Sequence, residues 1–138
     1  MGLILDSSVI IRAERRGLSV ERMIADTIEL VGDQDVALTS IGLTEFVHGI
    51  YRAPNEEIRS RRREYLNEIL RDLTVYPYTT ETALLAGRID GEQTARGATI
   101  PFTDLLIGAT ALSLGFGVLT ANERHFRIIP GLAVISLR

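Results

Sequence analysis

Leu3-Ile4-Leu5 runs directly into Asp6, Val36-Ala37-Leu38 into Thr39, and Val118-Leu119 into Thr120. Each run is short and apolar without polar alternation, the pattern of a strand covered on both faces. Helical spacing or a turn follows within a few residues. Strands that alternate with helices in this way predict an α/β fold of three layers, with a mainly parallel central sheet flanked by helices. In such folds ligands bind beyond the carboxyl ends of the strands, which is where Asp6 stands. Asp6 alone has two readings: Asp and Ser are good helix caps, or the carboxylate belongs to a site at the rim. The choice turns on whether other carboxylates reach the same place.

A length of 138 residues fits one domain, residues 1–138, with a sizeable core. No apolar run approaches the roughly 18 residues that span a membrane, and the N-terminus begins with a strand instead of a basic-then-apolar leader. With no Cys, the chain has no disulfides, thiolate metal sites or Cys nucleophile; a cytoplasmic location is expected. The net charge of −3 argues against broad, non-specific nucleic-acid binding but leaves room for a local basic patch. All 15 basic residues are Arg, which removes a phosphate-loop Lys, a Schiff-base Lys and the Lys of receiver domains. Arg suits phosphate recognition; a genome-wide Arg-for-Lys bias explains the same count.

In chain order, the first strand is expected over residues 3–6, then a short helix to about Arg15 with Arg12, Arg15 and Arg16 on or just after it. Ser19 is the expected cap of a second helix, whose Val20, Met23, Ile24, Thr27, Ile28 and Val31 face a core. Asp33 and Asp35 fall in a polar break and read as a solvated loop. The strand 36–39 leads to a helix over 41–52 capped by Ser40. Leu43, Phe46, Val47 and Ile50 form its apolar stripe, and Glu45, His48 and Arg52 share the opposite face. That face is either solvated or brings Glu45 over the rim near Asp6; His48 is either an ordinary surface residue or a helper there.

A helix over 56–72 buries Ile58, Tyr65, Leu66, Ile69 and Leu73, and carries the one dense basic cluster, Arg59, Arg61, Arg62 and Arg63. Pairing of Glu57 with Arg61 and of Arg61 with Glu64 describes a solvated face; contact with a nucleic acid or a partner is the other reading. A third strand over 73–76 and a helix capped by Thr79 or Thr80 follow. Thr103 is expected to cap a helix running to Leu112 that is apolar nearly all round and so buried, with Asp104 in its first turn. The helix dipole favours a carboxylate there, while burial penalises it. Strands over 118–120 and 132–135 complete the pattern.

This topology brings Asp6, the regions of Glu45 and Asp104, and the stretch from Thr120 to Asn122 to one rim. Clustered carboxylates in a cleft drive one another's pKa values up and apart. A hard divalent cation relieves that conflict, and oxygen-only donors favour Mg²⁺ or Mn²⁺ over Zn²⁺. Such an ion lowers the pKa of bound water and neutralises charge on a phosphodiester. The chemistry points to metal-dependent phosphoryl transfer or hydrolysis and leaves the substrate open.

Four segments carry a family resemblance. Leu3-Ile4-Leu5-Asp6-Ser7-Ser8-Val9-Ile10 resembles the opening of PIN-domain proteins, and Thr39-Ser40-Ile41-Gly42-Leu43-Thr44-Glu45-Phe46 their second acidic motif. Ile100-Pro101-Phe102-Thr103-Asp104-Leu105-Leu106-Ile107-Gly108-Ala109 is similar to the third, and Leu119-Thr120-Ala121-Asn122-Glu123-Arg124-His125-Phe126 to the closing one. They occur in family order across essentially the whole chain, in the small form typical of VapC toxins from toxin–antitoxin pairs. The resemblance implies an endoribonuclease dependent on Mg²⁺ or Mn²⁺. It implies Asp6 and Asp104 as principal metal ligands, Glu45 as a third acid acting partly through water, and Thr120 orienting a carboxylate or water. The family's fourth acidic position falls on Asn122, a departure that lowers the charge of the site and weakens the case for a second ion. Glu123, next to it, is expected to point outward. The resemblance also implies a homodimer and a VapB-type antitoxin docked on the N-terminal helices and reaching over the acidic cleft. Arg12, Arg15, Arg16, Arg59, Arg61, Arg62 and Arg63 are the candidates for the RNA backbone, contacts that carry no base specificity.

Other readings keep the acids and change the function. A receiver domain is disfavoured by the missing Lys, and a haloacid-dehalogenase-type phosphatase by Ser8, where a second Asp is expected. A non-catalytic regulatory or scaffold protein of the same fold, which Asn122 would suit, and a nuclease acting on DNA are the alternatives.

Overall fold

Strict alternation along the first strand decides the layering. Leu3 and Leu5 turn into one core and Ile4 into another, and all three are buried. The computed structural model describes residues 2–137. Its elements are β1 (Gly2–Leu5), α1 (Ser7–Arg15), α2 (Val20–Val31), β2 (Asp35–Thr39), α3 (Ser40–Tyr51), α4 (Glu56–Asp72), β3 (Thr74–Tyr76), α5 (Thr80–Ala95), α6 (Phe102–Leu114), β4 (Gly117–Thr120), α7 (Glu123–Phe126) and β5 (Val134–Ser136).

Among the described residues the strands form one sheet in the order β3-β2-β1-β4-β5, and every pairing is parallel. Ile4 lies opposite Ala37 on one side and Val118 on the other, and all three join the core under α5, α6 and α7. Leu5 lies opposite Leu119, and both join the core made with α1 to α4, where Phe46, Ile50, Tyr65 and Ile69 pack. The three-layer arrangement is the expected one. The connection reverses direction at β1: β2 and β3 build outward on one side, β4 and β5 on the other. The crevice at that reversal, beyond the carboxyl ends of β1 and β4, is where open α/β sheets bind ligands.

Several local expectations shift. Thr39, not Ser40, caps α3, its Oγ1 accepting from the Gly42 N–H at 3.0 Å, while Ser40 Oγ accepts from the Tyr78 N–H. Pro101, not Thr103, occupies the cap position of α6, and Thr103 lies in the first turn. The last strand begins two residues later than expected. Ser19 caps α2 as expected, and Thr79 caps α5.

The largest surprise is on α4. Arg61 and Arg62 do not pair along their own helix. Both reach Glu14 of α1, at 3.2 Å and 2.9 Å, and Glu14 is only 4% exposed. Arg62 also donates to the Gly49 carbonyl at 2.8 Å. A buried carboxylate needs such partners, and the nearest cations come from a helix 47 positions away in sequence. Arg59 and Arg63 pair with Glu56 instead. No described helix is long and apolar enough to cross a membrane.

Candidate active site

Asp6 occupies the position just before α1, yet its side chain makes no capping bond. Its backbone N–H donates to the Leu119 carbonyl, continuing the β1–β4 ladder by one residue. The carboxylate, 2% exposed, accepts from two hydroxyls on the same oxygen: Ser8 Oγ at 2.7 Å and Thr120 Oγ1 at 2.9 Å, both to Oδ2. Each hydroxyl is itself aimed by a backbone amide. Ala121 N–H donates to Ser8 Oγ, and Asn122 N–H donates to Thr120 Oγ1. Two amide-to-hydroxyl-to-carboxylate relays therefore fix Asp6, and Oδ1 has no hydrogen-bond partner among the described residues. The capping reading of Asp6 is set aside by this geometry.

Glu45 comes from α3, on the face opposite Phe46 and Ile50. Ser7 Oγ donates to its Oε1 at 2.8 Å. Its pKa is raised, chiefly by burial and further by the charges of Asp6 and Asp104, while hydroxyl bonds from Ser7 and Thr103 oppose the shift. Asp104 comes from the first turn of α6. Its pKa is also raised, by burial first and by Asp6 as well, against the hydrogen bond and charge of His125. His125 Nδ1 lies 2.8 Å from Asp104 Oδ2. Carboxylates from β1's end, α3 and α6 thus act on one another at the reversal point of the sheet, with Thr120 among them.

The remaining candidates are placed differently. The backbone of Asn122 serves the site, but its side chain is exposed, in a shallow depression with Ala121, Glu123, Arg124 and His125. Glu123 pairs with Arg127 at 2.8 Å. His48 is exposed in an open groove with Leu43, Thr44, Val47 and Tyr51, and among the described residues makes no hydrogen bond to the acids. Arg12 and Arg16 border an apolar groove between α1 and α2, and neither they nor Arg15 has an ion pair among the described residues. Sequence reasoning passed over Ser7, Ser8, Thr103 and His125 as site residues. The only available signal was their closeness in sequence to the acids: hydroxyls at one and two residues after Asp6, one beside Asp104.

The donor set suits a hard cation. It is all oxygen, partly buried and self-repelling, and Asp6 and Asp104 each keep an unengaged oxygen. Among the described residues no three acidic, His or Cys side chains stand close enough to hold one ion between them. That does not conflict with magnesium, which keeps several waters and takes only one or two carboxylates.

A PIN-domain family model matches residues 3–132 of the chain. "Ribonuclease VapC" of Rickettsia bellii is 32% identical over 138 residues, covering 99% of this chain and 97% of that protein. "Ribonuclease VapC1" of Rickettsia felis is 31% identical over 137 residues, with the same coverage of 99% and 97%. Among solved structures, VapBC2 from Rickettsia felis, bound to a DNA fragment from its promoter, superposes with a TM-score of 0.86 over 100% of both chains, at 20% identity.

Proposed function

Because the chain belongs to the PIN-domain family, we propose that it is an endoribonuclease, the toxin of a VapBC-type toxin–antitoxin pair, acting as a single PIN-like nuclease domain over residues 1–138. The observation that carries the reading is the meeting of Asp6, Glu45 and Asp104 at the reversal point of the sheet, in a chain related along its length to named ribonucleases.

In this reading Asp6 and Asp104 hold Mg²⁺ or Mn²⁺ through the oxygens their neighbours leave free, and Glu45 joins them partly through water. The ion supplies charge neutralisation at the scissile phosphodiester and a lowered pKa for water. Thr120 and Ser8 hold Asp6 in one orientation. Asn122 stands at the family's fourth acidic position with a neutral side chain, which keeps the charge of the rim lower and suits fewer ions. Burial and mutual repulsion raise the pKa of Glu45 and Asp104, so the rim favours whatever brings positive charge to it. Arg12, Arg15 and Arg16, without ion pairs among the described residues, are the cations most available to an RNA backbone. Arg61 and Arg62 are engaged by Glu14, which leaves Arg59 and Arg63, on Glu56, as the more available part of the α4 cluster.

The solved relatives are described as VapBC complexes, which supports a VapB-type antitoxin as partner. The groove of Val9, Ala13, Leu18, Met23 and Leu30 between α1 and α2 offers an apolar seat for it. A homodimer working in the cytoplasm completes the reading. A non-catalytic scaffold is the second reading, favoured by the neutral Asn122 at the family's fourth acidic position.

The test is cleavage of a structured RNA pool by the wild type and by Asp104→Asn, each with Mn²⁺ and with EDTA. Cleavage that needs both the metal and Asp104 is expected. Equal cleavage by both proteins overturns the assignment, and a wild type that neither cleaves nor binds Mn²⁺ favours the scaffold.

A further inference from the structure

His125 reaches the rim because of how α7 is seated. Asp104 and Gly108 are four residues apart and share one face of α6. A Cβ added at Gly108 would overlap Ile129 Cδ1 and lie 3.4 Å from Phe126 Cδ1. The bare glycine therefore lets residues 126–129 rest directly on α6, where Phe126 is fully buried and Ile129 is 2% exposed. With Phe126 anchored one turn from Asp104, the preceding residue hangs over the carboxylate. His125 Nδ1 meets Asp104 Oδ2 at 2.8 Å.

The bond has a specific consequence for the carboxylate. A carboxylate only accepts, so Nδ1 carries the proton and donates. Oδ2 is thereby engaged, and Oδ1 is the oxygen left without a partner among the described residues. Asp6 is built the same way, with Ser8 and Thr120 both on Oδ2. At each of the two acids, neighbouring side chains hold one oxygen and leave the other for a ligand. Outer partners of this kind orient the groups that touch a metal, and their loss commonly costs about 10–100-fold in metal affinity.

We propose that His125 is a positioning residue for Asp104: its Nδ1–H holds Oδ2 so that Oδ1 is presented to the divalent ion. This rests on the reading of Asp104 as a metal ligand. The role belongs to the hydrogen bond and not to the ring, because Nδ1 is the atom that makes the contact. An asparagine at the same position carries an N–H at a comparable reach and should substitute.

The experiment compares wild type, His125→Ala, His125→Asn and Asp104→Asn for Mn²⁺ affinity by calorimetry, for kcat and KM on a cleaved RNA, and for Tm in EDTA. His125→Ala is expected to weaken Mn²⁺ about tenfold or more and to lower kcat with KM little changed, while its Tm in EDTA stays near that of wild type. His125→Asn is expected to recover both within about threefold. Wild-type Mn²⁺ affinity and kcat in His125→Ala overturn the proposal, as does a His125→Asn protein as impaired as His125→Ala. If Asp104→Asn itself binds Mn²⁺ like wild type, the metal reading fails. The proposal falls with it, whereas weakened Mn²⁺ binding in Asp104→Asn beside wild-type binding in His125→Ala overturns the proposal alone.

Discussion

A carboxylate held above its ordinary pKa is a group the fold disfavours in its charged form. Glu45 and Asp104 are both in that position, displaced upward from 4.5 and 3.8. A raised folded-state pKa means the folded chain binds protons more readily than the unfolded one. The contribution of these two groups to stability is therefore complete below their ordinary values and lost as pH rises through the raised ones. Metal-free protein at a pH above the raised values carries that cost, so there Glu45→Gln should raise the melting temperature in EDTA by a few degrees while lowering cleavage. Mn²⁺ should invert the order, since only wild type gains its full linkage stabilisation, about 2.7 kcal/mol at a hundredfold excess over Kd. Differential scanning fluorimetry with and without metal reads both. Thr120→Val tests the relay on Asp6: it removes a donor from Oδ2 and leaves the Asn122 N–H without its acceptor. A loss of about 1–3 kcal/mol in urea unfolding is expected. At this scale the sequence was legible for residue types and not for partners. Asp, Ser and Thr at strand ends look the same whether they cap a helix or build a site, and the hydroxyl that distinguishes the two for Asp6 is 114 residues away.

Helices were located to within a residue or two by periodicity and caps, because both are local signals. Their surface chemistry was not. The α4 cluster looked like a face of i,i+3 and i,i+4 pairs, and Arg59 with Glu56 is one. Arg61 and Arg62 instead fasten α4 to α1 through Glu14, whose side chain is 3% exposed. No pattern within α4 reveals a carboxylate contributed by α1. Two different outcomes separate the structural arginines from the available ones. Glu14→Ala removes the buried acid and leaves the partly buried Arg62 with the Gly49 carbonyl alone, and should cost about 1–3 kcal/mol in urea unfolding. Arg15→Ala with Arg16→Ala should leave stability nearly unchanged and reduce the salt dependence of RNA binding, by roughly 0.7 in the log–log slope for each phosphate that is no longer neutralised. An unchanged slope would remove these two residues from the RNA path.

For the whole molecule, strands covered on both faces required helices above and below the sheet, and the two cores follow from the alternation of Leu3, Ile4 and Leu5. Strand order lay outside that logic. Nothing in a linear pattern states that β1 sits between β2 and β4, and it is this order that makes the ends of β1 and β4 neighbours. Periodicity shows α2 only as an ordinary amphipathic helix, and the expectation of a partner on the N-terminal helices came from the family resemblance alone. Leu30, 56% exposed on the margin of the α1–α2 groove, separates binding from catalysis. Leu30→Asp should weaken capture of the co-expressed antitoxin about tenfold, the effect of removing a moderate interface residue, and leave cleavage of RNA by the isolated protein unchanged. Calorimetric titration with the antitoxin and a cleavage assay together check it.

The central place of β1 also sets a timetable. Residue 6 is among the first made, but the hydroxyl that fixes its carboxylate, and the strand that flanks it, arrive 114 residues later. At about 5–20 residues per second of synthesis, that is an interval of roughly 6–23 seconds. During it the growing chain gains Glu45 and then Asp104, but the rim that Thr120 and β4 complete is missing. A nascent copy should therefore lack cleavage activity until nearly the whole chain has emerged, as should a truncated product ending before β4, which an RNA cleavage assay on the truncation checks.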